Sequence, residues 1–471
     1  MTFNDTKRRS DRGSSTRIGL LWSGARDSLW FVPALSTAIA FALAVVIVRV
    51  DSAWNASGTL DRILFSGGAD GARGVLTAVA GSLITVTGVV FSVTVVALQL
   101  ASSQFTPRVL RGFMADPANQ IVLGIFIGTF TYTVMILRTV TGAGDNRAAF
   151  VPELGVTVAI LLVLVSIGAL IYFINHAARS VQAAVILTRE TQHALKRMDH
   201  LFPRDFGEPD AALPVPRAPT VPAAMVLAAD SGYLLAVHAD SLFDLAEDRR
   251  LTIRMDVPVG GFVIAGEAIA SVWPASAADR AAIEAVRDAF VLGEERTPDQ
   301  DVDLGIIVIS DIAVRALSPG VNDPTTAMLC IDRLSELLVR LGTSREPLAA
   351  RTSSSGDLRF LARMSSFEHA VGLAFDQIRH YGAGNPTIAM KLFDSLRRIA
   401  ELVPAGRRGS LAAQAEMLHE HASTASMSTG DRQSVEHVAA ACFAALVGDD
   451  GSQGVERNAA HSAPRATLSH R

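Results

Sequence analysis

The chain has 471 residues, of which 49% are hydrophobic, and its mean hydropathy of +0.32 is high for a soluble protein. Its 42 basic and 46 acidic residues nearly balance, so the charge offers no basic footprint for nucleic acid and we expect no nucleic-acid partner. The two cysteines, Cys330 and Cys442, lie far apart and outside any CxxC spacing. They indicate buried thiols rather than a metal site or a disulfide framework.

The excess of apolar residues lies in the first 178 residues, in four segments that are almost free of charge. A bilayer core about 30 Å thick needs roughly 20 helical residues, and these segments reach or approach that length. Charge, proline or glycine bounds each of them. We predict a membrane α-helical domain over residues 26–178 with about four transmembrane helices, at 31–48, 75–100, 121–137 and 154–174. Residues 1–25 are predicted to be a basic, disordered N-terminus.

Arginine and lysine concentrate at the N-terminus, in the second loop at Arg108 and Arg111, and after the fourth segment. Positively charged loops tend to stay in the cytoplasm. The pattern therefore predicts a multi-pass protein of a cytoplasmic membrane, with the lipid bilayer as its surroundings and with both termini cytoplasmic.

Small and polar residues recur along the second segment at spacings of three, four or seven, which places them on one face of a helix. We call this face the α2 stripe, after the second predicted helix, α2, at 75–100: Gly81, Thr85, Gly88, Ser92, Gln99 and Ser103. One interpretation is helix packing, because small residues permit close approach and polar groups bond across to a neighbour. The other is a wetted pathway that these groups line. A homo-oligomer satisfies both interpretations, and we expect one.

The other predicted spans carry two further signals. Gly124 and Gly128 form a GxxxG pattern, which brings helices together in lipid. None of the four segments contains Asp, Glu, Lys, Arg or His. Ion-coupled transporters usually need such groups inside the membrane, so active secondary transport is disfavoured.

The remainder of the chain reads as a cytoplasmic α+β region. An amphipathic pattern predicts a stalk that continues the fourth helix, and a proline-rich stretch predicts an extended linker. Short alternating runs then predict a small β-barrel or sandwich, followed by a mainly helical domain. The predicted ranges are 179–202 for the stalk, 203–222 for the linker, 223–275 for the β domain, 276–447 for the helical domain and 448–471 for a disordered tail. Within the helical domain, helices are predicted at about 276–292, 303–317, 324–342, 365–381, 386–403, 409–424 and 431–447.

One turn in the helical domain carries an unusual set of polar residues: Arg315, Ser318, Asn322, Asp323 and Thr326. Asp323 is placed to cap a new helix with Pro324 at its first position, and this structural explanation is the favoured one. The alternative is that the turn's amide hydrogens and Arg315 hold an anionic ligand.

Residues 88–92, 98–108 and 316–327 resemble one uncharacterised family of bacterial predicted membrane proteins, DUF2254. The resemblance spans roughly residues 20–447 and supports the architecture above. It implies no activity, cofactor or catalytic residue, and its location would be the bacterial inner membrane.

No catalytic signature is evident: the chain has no GxSxG, HExxH, P-loop or CxxC pattern. We therefore predict no catalytic residue, metal ligand or cofactor. Two hypotheses remain. In the first, the α2 stripe lines a passive, channel-like pathway in an oligomer and the cytoplasmic region regulates it. In the second, the protein is a membrane-anchored sensor or scaffold whose cytoplasmic region binds a partner or a small ligand near Arg315 and Asn322.

Overall fold

The computed structural model describes residues 30–53, 65–104, 116–142, 150–180, 182–201, 221–298, 300–344 and 350–447. The chain divides into two compact units, the first ending at Ile186 and the second beginning at Leu187. The predicted N-terminal segment 1–25, most of the linker 203–222 and the tail 448–471 lie outside the described residues.

The first unit contains four long apolar helices, and each qualifies by length and composition as a candidate membrane span. Every predicted span lies within one of them, and each helix extends beyond the uncharged segment because its polar ends remain helical. The helices are α1 (Phe31–Ala53), α2 (Ala69–Gln104), α3 (Pro117–Thr139) and α4 (Glu153–Ser180).

Helix α3 lies at the centre of this unit and contacts the other three helices. Its GxxxG residues face α1: a Cβ atom added to Gly124 would lie 2.6 Å from Ser36 Oγ, and one added to Gly128 would lie 3.4 Å from Ser36 O. The predicted role of the GxxxG pattern in close helix packing is therefore confirmed.

Asp51, near the end of α1, ties that helix to the start of α4. Its carboxylate accepts hydrogen bonds from the backbone N–H groups of Leu154 at 3.2 Å and Gly155 at 2.9 Å. These are amides of the first turn of α4, which have no partner inside their own helix. Asp51 of α1 thus caps the N-terminus of α4, where a negative charge is favourable.

The boundary between the two units falls inside an amphipathic helix, α5 (Ala183–Leu201), most of which belongs to the second unit. Because α4 ends at Ser180, the expected continuous stalk is two helices rather than one. Helix α5 packs on the unit it introduces: Leu187, Ala194 and Met198 are buried, and Arg340 forms an ion pair with Asp199 at 2.6 Å.

In the described part of the chain, eight strands form two sheets, and both sheets contribute buried side chains to one apolar cluster. The strands and their intervening helices are β1 (Ala224–Leu227), β2 (Gly232–Val237), α6 (Ala239–Arg249), β3 (Thr252–Met255), β4 (Phe262–Val263), β5 (Ala268–Trp273), α7 (Arg280–Asp288), β6 (Phe290–Gly293), β7 (Ala350–Thr352) and β8 (Leu358–Leu361). The five-stranded sheet has the order β1-β5-β3-β8-β7, and the three-stranded sheet has the order β4-β2-β6.

Three of these strands, β6, β7 and β8, lie outside the predicted range 223–275. Strand β6 occupies the end of a segment predicted as helix, because Phe290, Val291 and Leu292 pair with β2. Strand β8 pairs in parallel with β3, about a hundred residues earlier. The β region thus includes strands from distant parts of the sequence. Whether it forms a barrel or a sandwich stays a prediction.

The other helices follow their predicted ranges to within about two residues. Three of them begin at capping side chains, Asp323, Ser366 and Asn385, which accept backbone N–H hydrogen bonds in the first turn. The six helices of this part of the chain are α8 (Asp303–Ala316), α9 (Pro324–Gly342), α10 (Phe367–Gly382), α11 (Pro386–Leu402), α12 (Arg408–Thr424) and α13 (Thr429–Val447).

Candidate functional site

The α2 stripe lies on the side of α2 opposite to the core of the first unit. The buried residues of α2 are apolar apart from Thr94, namely Ala72, Leu76, Leu83, Val90, Thr94 and Ala97. At 100° per residue they fall on the opposite side of the helix from the stripe. The stripe residues are exposed in the isolated chain: Gly81, Thr85, Gly88, Ser92 and Gln99. The side chain of Ser103 lies outside the described part of the chain.

Both glycines of the stripe have open space in front of them. No heavy atom lies within 4 Å of a Cβ atom built on Gly81 or Gly88, whereas Gly124 is tightly packed. The hydroxyl of Thr85 donates to the carbonyl of Gly81 at 3.0 Å, so it is satisfied by its own helix. Among the described residues, the stripe therefore does not pack against another helix of its own chain.

A polar cluster lies where α3 begins. Asp116 caps α3 by accepting from the N–H of Ala118 at 2.9 Å, and its other carboxylate oxygen lies 3.0 Å from His176 Nε2 on α4. Three residues further on, Asn119 is 1% exposed, and neither its Nδ2 nor its Oδ1 has a hydrogen-bond partner. The sequence prediction missed this cluster, because Asp116 and His176 are 60 residues apart and each lies just outside a predicted span.

The turn before α9 has the predicted capping geometry. The Asp323 carboxylate accepts from Thr326 N at 3.0 Å and from Thr326 Oγ1 at 2.6 Å, and these bonds lower the pKa of Asp323. Asn322 adopts a left-handed conformation with φ of 47°, and Ser318 Oγ donates to the carbonyl of Arg315 at 2.7 Å. A carboxylate therefore already occupies the helix N-terminus where an anionic ligand was considered, and anion binding there stays a prediction.

The second unit contains a cleft of about 570 Å³, lined by α8, α10 and α12, which the sequence did not suggest. Its volume falls in the range of small-molecule sites. A hydrogen-bond network fixes one end: Arg379 donates to Gln414 Oε1 at 3.3 Å and to Asp376 Oδ1 at 3.3 Å, and Gln414 Nε2 donates to the same Asp376 oxygen at 2.5 Å. The lining combines apolar and charged side chains.

Asp303 lies beside this cleft, in the first turn of α8. It is 8% exposed, its Oδ1 has no hydrogen-bond partner, and its Oδ2 lies 3.7 Å from Nε2 of His369, a lining residue. Burial is the main cause that raises the pKa of Asp303 above its usual range, because a desolvated carboxylate favours the neutral form.

We expect Asp303→Asn to stabilise the protein at neutral pH. The folded-state pKa of Asp303 is raised, so the ionised carboxylate destabilises the fold above that pKa and the penalty disappears below the unfolded value of about 4. The gain in melting temperature relative to the wild type should therefore be largest near pH 8 and vanish towards pH 4. A gain that is independent of pH would contradict this role of burial.

Metal binding finds no support in the described residues, since no group of three or more His, Cys, Asp or Glu side chains there is placed to hold an ion. Both cysteines are buried, and burial raises the pKa of each thiol. Thiolate chemistry at neutral pH is accordingly disfavoured at both.

Four candidate spans and a separate α+β unit define a membrane protein. Residues 26–398 match the model of the family described as "Predicted membrane protein (DUF2254)", and the chain belongs to this family.

Similar proteins occur in mycobacteria. Uncharacterised proteins of Mycobacterium bovis and of Mycobacterium tuberculosis strain H37Rv are each 36% identical to this chain over 382 residues, which cover 80% of this chain and 72% of each relative. A protein of Mycobacterium tuberculosis strain CDC 1551 is 35% identical over the same length and coverage. No solved structure matches. The family and its relatives are uncharacterised, so they assign no activity.

Proposed function

We propose that this protein is a homo-oligomeric, passive permeation protein of the bacterial inner membrane, with both termini cytoplasmic and with the second unit as its regulatory part. The α2 stripes of neighbouring copies line the pathway. The observation that carries the proposal is the exposure of the whole described stripe, up to Gln99, on the face of α2 opposite to the core.

The cost of exposing polar groups to lipid supports this arrangement. An amide that faces hydrocarbon without a partner costs several kcal/mol. Contact with a second copy or with water removes this cost for Gln99. Gly81 and Gly88 let α2 helices approach closely, and hydroxyls beside them can replace part of the hydration shell of a permeating solute.

The pathway runs between copies rather than through one chain. The interior of the four-helix unit is filled by large side chains, among which Phe126 is 2% exposed and Tyr132 and Ile136 are fully buried. The stripe carries no ionisable group, which fits passive flux better than coupled transport.

Gln99→Leu tests this function. In planar bilayers that contain the purified full-length protein, we expect discrete ionic currents whose unit conductance falls several-fold in the variant. The matched control is Thr87→Val, which also makes α2 less polar, but away from the stripe, at a hydroxyl bonded to the carbonyl of Leu83. Its currents should equal those of the wild type.

Two results would count against the proposal. If the wild-type protein inserts into the bilayer and carries no current, the channel-like function is contradicted. If Gln99→Leu leaves the currents unchanged, the assignment of the stripe as the lining of the pathway is contradicted.

A second candidate function, a membrane-anchored sensor or scaffold, is favoured by the cleft in the second unit. That unit has its own apolar core and a site of ligand size. In this function the stripe serves only to pack copies together. Ligand binding by the protein without any conductance would favour the sensor over the pore.

A further inference from the structure

The start of α3 and the end of α4 are joined by a side-chain pair. His176 Nε2 on α4 lies 3.0 Å from Asp116 Oδ2, and the two side chains are 26% and 12% exposed. The His176 ring also stacks on Tyr172, one helical turn earlier, with the ring centroids 5.6 Å apart. The other carboxylate oxygen of Asp116 accepts from the N–H of Ala118 in the first turn of α3. Both members of the pair are therefore held in place by their own helices.

Asn119 lies on the face of α3 that packs against α2 and α4. It precedes Leu123 and Phe126 by four and seven residues, so the three side chains share one face of the helix. Leu123 and Phe126 belong to an apolar cluster with Ala177 of α4, the residue that follows His176. Asn119 extends this face towards the start of α3, yet it is 1% exposed and neither atom of its amide has a hydrogen-bond partner. A buried amide of this kind is costly, so the packed position of α4 carries a penalty that water would remove if this end of α4 moved away.

This end of α4 leads along the chain to the second unit. Helix α4 ends at Ser180, α5 begins at Ala183, and the second unit begins within α5. In the second unit, α5 packs tightly on α8, because a Cβ atom added to Gly305 would lie 2.7 Å from the Cβ atom of Ala194. His176 lies one helical turn before the break between α4 and α5. A change at the His176 pair therefore acts on the segment that joins the two units.

We propose that Asp116 and His176 form a pH-sensitive latch. The charged pair holds the end of α4 against α3, and the penalty of burying Asn119 favours release once His176 is neutral. Histidine changes its charge between pH 5 and 8, and loss of the proton leaves a hydrogen bond in place of an ion pair. Arg179, on the next turn of α4, keeps its charge over this range. The described ends of α1 and α2 on this side of the unit, residues 30–40 and 93–104, carry no titratable side chain. This inference goes beyond the proposed function, because it requires neither a pore nor an oligomer.

Hydrogen–deuterium exchange of the full-length protein in detergent, corrected for the intrinsic pH dependence of exchange, tests the latch. The amides of residues 173–180 should lose protection at least tenfold between about pH 6 and about pH 8. The amides in the middle of α3, residues 124–136, should keep their protection at both pH values. His176→Gln keeps a hydrogen-bond donor but cannot become charged. In this variant the protection of residues 173–180 should be the same at both pH values and no higher than that of the wild type at the upper one.

Asn119→Leu removes the penalty and leaves the pair intact. At about pH 8 it should raise the protection of residues 173–180 at least tenfold above that of the wild type, because an apolar side chain favours the packed position. The matched control is Thr133→Val on the same helix, since that buried hydroxyl is already bonded to the carbonyl of Thr129, and it should leave the pH dependence unchanged. Three results would each overturn the latch: wild-type protection that does not change with pH, an unchanged pH dependence in His176→Gln, or protection in Asn119→Leu that is equal to or below that of the wild type.

Discussion

Isoleucine in place of Gly124 will lower the free energy of unfolding of the full-length protein by about 3 kcal/mol, the upper end of the usual cost of overpacking. The added side chain has no space, because its Cβ atom alone would lie 2.6 Å from Ser36 Oγ on α1. Helices α1 and α3 would have to separate along the surface that joins them. Chemical unfolding in detergent, followed by circular dichroism, measures the loss.

Gly88→Ile is the matched control, since it makes the same change in a candidate span at a position with open space around it. We expect the helical content and the unfolding free energy of the single chain to stay within about 0.5 kcal/mol of the wild type. Its oligomeric mass in detergent should fall, because the stripe would no longer permit close approach. Equal destabilisation by both variants would contradict the assigned packing.

The contrast between Gly124 and Gly128 on α3 and Gly81 and Gly88 on α2 shows what the sequence could and could not predict in the first unit. The four apolar segments were sufficient to place all four helices, because a bilayer-length apolar run permits few other structures. The spacing of Gly124 and Gly128 and the spacing of the α2 stripe both predict a packing face. Spacing alone does not say which face has a partner in its own chain, since that depends on how α3 is placed against its neighbours.

The second large effect concerns the ion pair that holds α5 to the second unit. The side chain of Arg340 is only 4% exposed, and its guanidinium donates to Asp199 at 2.6 and 2.8 Å. Asp199→Ala would leave a buried positive charge without this carboxylate. Because the Asp199 side chain is itself 58% exposed, we expect a loss of about 2 kcal/mol, below the 3–5 kcal/mol typical of fully buried pairs.

Asp394→Ala is the control for this prediction. Asp394 pairs with Arg397 at 2.7 Å on α11, and both side chains are about one-third exposed. Pairs of this kind contribute about 0–1 kcal/mol, so denaturant unfolding should separate the two variants clearly. A loss for Asp394→Ala as large as that for Asp199→Ala would show that burial of Arg340 does not set the cost.

In the second unit, residues close together in the sequence predicted the helix starts correctly, whereas pairing between distant strands was not predicted. The Asp323-Pro324 and Asn385-Pro386 pairs mark helix starts by chemistry that operates within one turn, so those helices were predicted correctly. Strand β8 pairs with β3 across about a hundred residues, and nothing in either short run identifies the other. The cleft was missed for the same reason, because the three helices that line it, α8, α10 and α12, lie far apart in the sequence.

Cysteine accessibility along α2 tests the central claim most directly. In a Cys330→Ala, Cys442→Ala background, Ser92→Cys on the stripe and Phe91→Cys, about 100° around the same helix, are reconstituted in vesicles and treated with a charged, membrane-impermeant thiol reagent. The proposed pathway predicts modification of Ser92→Cys at least tenfold faster than of Phe91→Cys, because only the former faces water. Equally slow modification of both positions would contradict a wetted stripe and leave α2 as a packing surface.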